Sequence, residues 1–236
     1  MDISKKRLSV RAWLGSAILS AIGLLSPLVF ADVEKGFTYY NLGQFTEALA
    51  EWTIDANGGD SNAQFALGYM YDNGQGVPQD AKKAVYWYTL SAEQGDSGAQ
   101  VNLGNMYDVG LGVPQDAKKA VYWYTLSAEQ GDARAQANLG SMYDNGQGVP
   151  QDAKKAVYWY TLSAEQGNSI AQLNLGRMYV FGKGIEPNFE LAYMWANLAA
   201  ANGAEPDVRD AAAEELNSEQ LARAQKMSSD WAAAHP

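Results

Sequence analysis

Residues 60–95 read DSNAQFALGYMYDNGQGVPQDAKKAVYWYTLSAEQG. Residues 96–131 repeat this text with six changes and residues 132–167 with five. Residues 168–203 repeat it loosely, which gives four units of 36 residues. A period of roughly 20–50 residues marks a solenoid, whose units bury their apolar faces only by stacking on each other. The expected fold is therefore all-α, an array of antiparallel helix pairs. Such an array points to binding rather than to catalysis.

Each period divides into two helices. Asp60 is placed to cap the first, its carboxylate accepting from an orphan backbone N–H. Ala63, Leu67, Met70 and Tyr71 then recur at helical spacing. Asn73-Gly74-Gln75-Gly76 ends the helix, because glycine tolerates the left-handed backbone of a C-terminal cap. Pro78 prevents early resumption, and Asp80 caps the second helix, which runs to Gln94. There Ala81, Ala84, Trp87, Tyr88, Ser91 and Ala92 share one face, with Trp87 and Tyr88 expected to supply most of the buried area. The same frame extends outward. Residues 32–59 hold a capping pair of helices at Glu34–Leu42 and Phe45–Asn57. Residues 204–236 hold two more, at Pro206–Leu216 and Ser218–Ala233, with Leu216, Leu221, Ala224, Met227 and Trp231 facing inward. Terminal units depart from the consensus because their outer faces meet water.

The pattern A-Q-x-x-L-G-x-M-Y-x-x-G-x-G-V-x-x-D, followed by A-V-x-W-Y-x-x-x-A-E-Q-G, resembles the Sel1-like repeat, a branch of the tetratricopeptide superfamily. The resemblance covers residues 60–203 closely and residues 34–57 more loosely. In the last unit Ile185-Glu186-Pro187-Asn188 replaces Val-Pro-Gln-Asp, and Tyr193-Met194-Trp195 reads in place of Tyr-Trp-Tyr. The resemblance implies a right-handed α-solenoid acting as an adaptor, with the first helix of each pair lining the concave surface. It also implies an exported bacterial location. It implies no shared reaction and no single ligand.

The N-terminus carries Lys5, Lys6, Arg7 and Arg11, then an uncharged, mainly apolar run from Ala12 to Ala31 that Pro27 interrupts. Val29-Phe30-Ala31 offers small residues at an A-x-A-like site, so residues 1–31 read as a cleaved signal peptide. The run before Pro27 is short for the roughly 20 apolar residues a spanning helix needs, so no membrane insertion is expected after cleavage. Removing this segment leaves 13 Lys+Arg against 26 Asp+Glu, a balance of −13. Nucleic acid is not an expected partner, because it needs clustered cations. A cysteine-free chain forms no disulfide after export and carries no cysteine-linked lipid anchor. The expected location is periplasmic or secreted, and the expected state a monomer.

Catalytic constellations are missing from the text. The single histidine, His235, is next to last in the chain, a poor place for a catalytic base. Thiol chemistry needs cysteine, and structural zinc sites use Cys and His. The S-x-x-K arrangement of serine β-lactamases does not occur. The acids at 80, 116 and 152 and at 93, 129 and 165 fall at helix ends, where capping and dipole effects explain them. Asp72-Asn73-Gly74-Gln75-Gly76 faintly resembles a calcium loop but lacks its alternating ligands and bidentate Glu. No enzyme activity, cofactor or metal is expected.

Comparison among the units locates a varied face. Asn62, Phe65, Ala66 and Tyr69 become Gly98, Val101, Asn102 and Asn105, then Arg134, Ala137, Asn138 and Ser141. These positions fall within about 100° of helical arc. Asn62, Phe65, Tyr69, Val101, Asn105, Arg134 and Ser141 are therefore the candidate partner-binding residues, expected to line one groove. On the second helix Tyr86 and Leu90 recur unchanged as Tyr122 and Leu126, then Tyr158 and Leu162. That stripe reads either as contact between neighbouring second helices or as an interface. Two ligand classes fit a groove of this kind. A polar floor of small residues favours a protein or peptide partner. An aromatic floor built from Phe37, Tyr39, Tyr40, Phe65 and Tyr69 favours carbohydrate, such as peptidoglycan or an exported polysaccharide.

Overall fold

The computed structural model describes residues 33–235, and the signal-peptide reading of residues 1–31 lies outside them. Among the described residues there are twelve helices and no strand. The first pair is α1 (Val33–Asn41) and α2 (Phe45–Asn57). The four repeats follow as α3 (Ser61–Asn73) and α4 (Ala81–Glu93), α5 (Ser97–Val109) and α6 (Ala117–Glu129), α7 (Ala133–Asn145) and α8 (Ala153–Glu165), and α9 (Ser169–Phe181) and α10 (Phe189–Ala201). The chain closes with α11 (Asp207–Glu214) and α12 (Ser218–Ala234).

Local chemistry sets these boundaries. Asp60, Asp96, Asp132 and Asn168 accept a backbone N–H three residues on, at 2.7–3.1 Å. Asp80, Asp116, Asp152 and Asn188 cap the second helices in the same way. Gly74, Gly110, Gly146 and Gly182 end the first helices with φ between +62° and +76°, the left-handed cap that the Asn-Gly run predicted. The turn at Asp72–Gly76 is thus explained by backbone capping. Gly112 adds a steric demand, since a Cβ there would lie 2.4 Å from the Ala81 carbonyl oxygen of the preceding repeat.

Packing runs from each helix to its pair and on to the next pair. Ala84, Tyr88 and Ala92 of α4 meet Ala99, Leu103 and Met106 of α5 in one buried cluster, and the following repeats copy it. Gly68, Gly104 and Gly140 explain how the tyrosine fits. A Cβ at any of them would lie 2.5–2.7 Å from the ring of Tyr88, Tyr124 or Tyr160, so each ring sits directly against the first-helix backbone. Trp87, Trp123 and Trp159 are half-buried and seal the preceding repeat instead. The expectation that tryptophan and tyrosine share the burial is corrected accordingly: the tyrosine is the central core residue. The fourth repeat is also in a different register from that read in the sequence. Helices α8 and α10 align with the 36-residue offset, so Met194, Trp195 and Ala196 stand where Tyr158, Trp159 and Tyr160 do.

A buried glutamine joins successive pairs. Gln64, Gln100, Gln136 and Gln172 each donate to a carbonyl at the end of the preceding second helix, at 3.1–3.2 Å. The first three also accept from Gln94, Gln130 and Gln166, at 2.7–2.8 Å. Asn202 replaces that partner in the fourth repeat. Its shorter side chain donates only to the Leu198 carbonyl, and the buried Oε1 of Gln172 has no hydrogen bond among the described residues. Asn202→Gln should restore the bond and stabilise the chain by about 1 kcal/mol. A rise in the denaturation midpoint at unchanged slope would register it.

The C-terminal helices dock on α10. Arg223 of α12 donates to Glu190 at 2.7 Å, and Trp231 meets Trp195 edge-on at 5.9 Å. His235 stacks on Trp231 at 4.2 Å, so it is better held than its position near the chain end suggested. No helix among the described residues is long and apolar enough to cross a membrane.

Candidate partner-binding face

Within the repeats, α3 approaches α5 and α7 approaches α9. The solvent side of the first helices, which the resemblance made the concave surface, is called the inner face. Asn62, Tyr69, Asn105 and Arg134 are exposed on these helices, while Ser141 and Phe65 are half-buried. Val101 does not belong with them. It is 1% exposed, inside the cluster of Ala120, Tyr124 and Leu139. Phe65 likewise packs on Tyr88 and lies 3.1 Å from where a Cβ on Gly98 would stand. The physical reason is angular. Positions 65, 101 and 137 lie at the edge of the varied arc that meets the next repeat, so their changes adjust core volume. Arg134 is exposed and held by Asp132 at its own helix start, at 3.0 Å.

Other side chains, not anticipated, gather there. The hydroxyl of each core tyrosine reaches the space between two first helices. Tyr124 donates to Asn105 at 2.7 Å, and Asn138 of the next repeat donates to the same oxygen at 3.1 Å. Tyr88 faces Asp72, Asn102 and Tyr69, but its hydroxyl makes no well-formed hydrogen bond among the described residues. Burial, and then the carboxylates of Asp72 and Asp108, raise the Tyr88 and Tyr124 phenols well above their ordinary range. Tyr160, buried beside Asp144, is pushed up to about 12. Burial also raises Asp72 and Asp108. The inner face thus repeats a unit of buried Tyr, half-buried Asp, and Asn from the following helix. Between these units stand the varied side chains Tyr69, Asn105, Ser141 and Arg177. The glycine recurring in mid-helix at 68, 104 and 140 was the sequence signal for a large ring crossing there.

Between α9 and α11, Arg177, Val180, Phe181, Asp207, Val208 and Ala211 line an open cleft of about 160 Å³. On the outer face Tyr86, Tyr122 and Tyr158 are 56–57% exposed, each edge-on to its neighbouring tryptophan at 4.9 Å. Leu90, Leu126 and Leu162 are half-buried. The lysines at 83, 119 and 155 lie over Tyr71, Tyr107 and Tyr143 at 5.0 Å.

Several of the aromatic residues proposed for sugar stacking pack on other rings. Phe37 meets Trp52 edge-on at 5.0 Å, and Tyr40 meets Phe45 at 5.3 Å. Phe37 and Tyr69 remain exposed, at 43% and 39%, and the face beyond Tyr69 is polar. Among the described residues, no cluster of three or more His, Asp or Glu side chains is arranged to hold a metal ion.

The family model described as Sel1 repeat matches residues 61–96, 97–132, 133–168 and 169–203. A Sel1 repeat protein of Oxalobacter formigenes has a similar structure, at 32% identity and TM-score 0.69, over 77% of this chain and 78% of that one. The protein c5321, a protective antigen of uropathogenic Escherichia coli with an SLR fold, is 30% identical with TM-score 0.55. That similarity covers 85% of this chain and 53% of c5321. No curated protein matches the sequence. Proteins built from these repeats are generally scaffolds for protein–protein interaction and typically non-catalytic. With all four repeats matched, the chain belongs to the Sel1 repeat family.

Proposed function

We propose that this protein is an exported, monomeric, non-catalytic scaffold that holds a polypeptide partner along its first-helix face. One observation carries the reading: side chains that differ between repeats, Tyr69, Asn105, Ser141 and Arg177, alternate there with a constant polar frame. A constant frame fixes spacing, and varied side chains select a sequence. The polar floor supports a peptide over a glycan. Export rests on the charge and apolar pattern of residues 5–31.

Two measurements test this. Mass analysis of the protein recovered outside the cytoplasm should give a chain beginning at Asp32; a chain retaining Met1 contradicts cleavage. For a partner captured with the protein as bait, Tyr69→Ala or Arg177→Ala should weaken binding by about 1–2 kcal/mol, because aromatic and Arg residues dominate interface energetics. Tyr86→Ala and Tyr122→Ala should leave the same affinity unchanged. The reverse pattern would move the interface to the outer surface.

A further inference from the structure

Asp72, Asp108 and Asp144 occupy one position in three successive repeats, each beside the hydroxyl of a buried tyrosine. Their surroundings differ in one respect. Lys183, from the turn after α9, forms an ion pair with Asp144 of the preceding repeat. One period earlier the residue equivalent to Lys183 is Gln147, and two periods earlier it is Leu111. Among the described residues neither Asp108 nor Asp72 has an ion pair. The same carboxylate position is built three times, and the chain supplies a cation to only one.

We propose that Asp72 and Asp108 receive the Lys or Arg side chains of an extended, basic partner segment, and that Lys183 fills the third such position from within. This rests on the scaffold reading above and names its partner's chemistry. The occupied Asp144 shows that the position accepts an ammonium group. At Asp72 a second feature points outward. The Tyr88 hydroxyl is buried and faces Asp72 and Asn102 without a well-formed hydrogen bond, which leaves a polar group beside the carboxylate incompletely satisfied. A half-buried carboxylate without a counter-charge gains from a cation that shares its desolvated site. Asn102 and Asn138 border the two positions, and each amide can both donate to and accept from a peptide backbone. The net charge of −10 favours a cationic partner over any distance.

Spacing narrows the ligand further. Packed helices lie about 8–10 Å apart. A polyproline-type strand rises about 3.1 Å per residue with three residues per turn, so every third side chain returns to one face about 9 Å on. A segment with Lys or Arg at i and i+3 is therefore the probe chosen, since α3 and α5 come into contact.

The test uses a fluorescent peptide of four Lys-Pro-Pro units, with a Gln-Pro-Pro peptide as control, and the purified protein. The lysine peptide should bind and the glutamine peptide should not. Asp72→Asn with Asp108→Asn should weaken binding by about tenfold or more. Glu93→Gln with Glu129→Gln, the same charge change at exposed helix ends, should alter it by less than about twofold. Lys183→Met frees Asp144 and should tighten binding severalfold, while Lys118→Met on α6 should not. Helical circular dichroism checks that each variant is folded. Equal losses from the two acid pairs, no gain from Lys183→Met, or no lysine-peptide binding at about millimolar concentration would each overturn the proposal. A natural partner released by Tyr69→Ala yet indifferent to Asp72→Asn with Asp108→Asn would leave the scaffold standing and remove the cation positions.

Discussion

Tyr124→Ala should cost about 3–5 kcal/mol of stability, the range for truncating a buried aromatic side chain. Tyr124 is 1% exposed, packs directly against Gly104 and contributes to the cluster shared by the second and third repeats. Collapse around the cavity is limited, because rigid helices on both sides set its walls. Neighbouring repeats are coupled, so the loss should extend to both. Tyr124→Phe keeps the ring and removes only the bond to Asn105, so it should cost about 0.5–1.5 kcal/mol. Trp123→Ala should fall below Tyr124→Ala, because that indole is only half-buried. Denaturant unfolding measures all three. A loss under about 1 kcal/mol for Tyr124→Ala would contradict its place as the central core residue.

Deleting residues 96–131 should yield a shorter protein that still folds. Gly95 would meet Asp132, the same junction as Gly95 to Asp96. The contacts are also equivalent, since Gln136 can donate to the Ala92 carbonyl as Gln100 does. Stability should fall, because it is roughly a sum over repeats and their interfaces. Deleting residues 96–113 should fail. It removes α5 and leaves α4 followed directly by α6, two helices of the same kind with no first helix between them. Circular dichroism and thermal melting separate the outcomes. Loss of helix in the full-period deletion would refute independent stacking units.

Local chemistry made the fold legible. Asp before a helix and Asn-Gly after it act within a few residues, so nearly every helix boundary falls within a residue or two of its expected place. The candidate face was legible only in part. Tyr69 and Asn105 are exposed as expected, and Val101 is not. Positions 65 and 69 differ by about 40° around the helix. Which of them meets the neighbouring repeat depends on how far each helix pair is rotated against the next, and no local signal encodes that rotation. The relative burial of Trp and Tyr depends on the same rotation. Asp72 read only as part of a loop and Asp108 and Asp144 carried no signal of their own, since their role depends on tyrosines from the following helix. The pairing of Asp144 with Lys183 joins adjacent repeats across 39 positions of sequence.

The claim that partners bind the first-helix face is tested most directly by site-specific photo-crosslinking in cells that produce the protein. A photoreactive residue is placed at 69, 105 or 141 on one face, and at 86, 122 or 158 on the other. The account predicts one adduct of constant mass from the first set and none from the second. Adducts confined to 86, 122 and 158 would contradict it and assign the exposed tyrosine stripe as the interface.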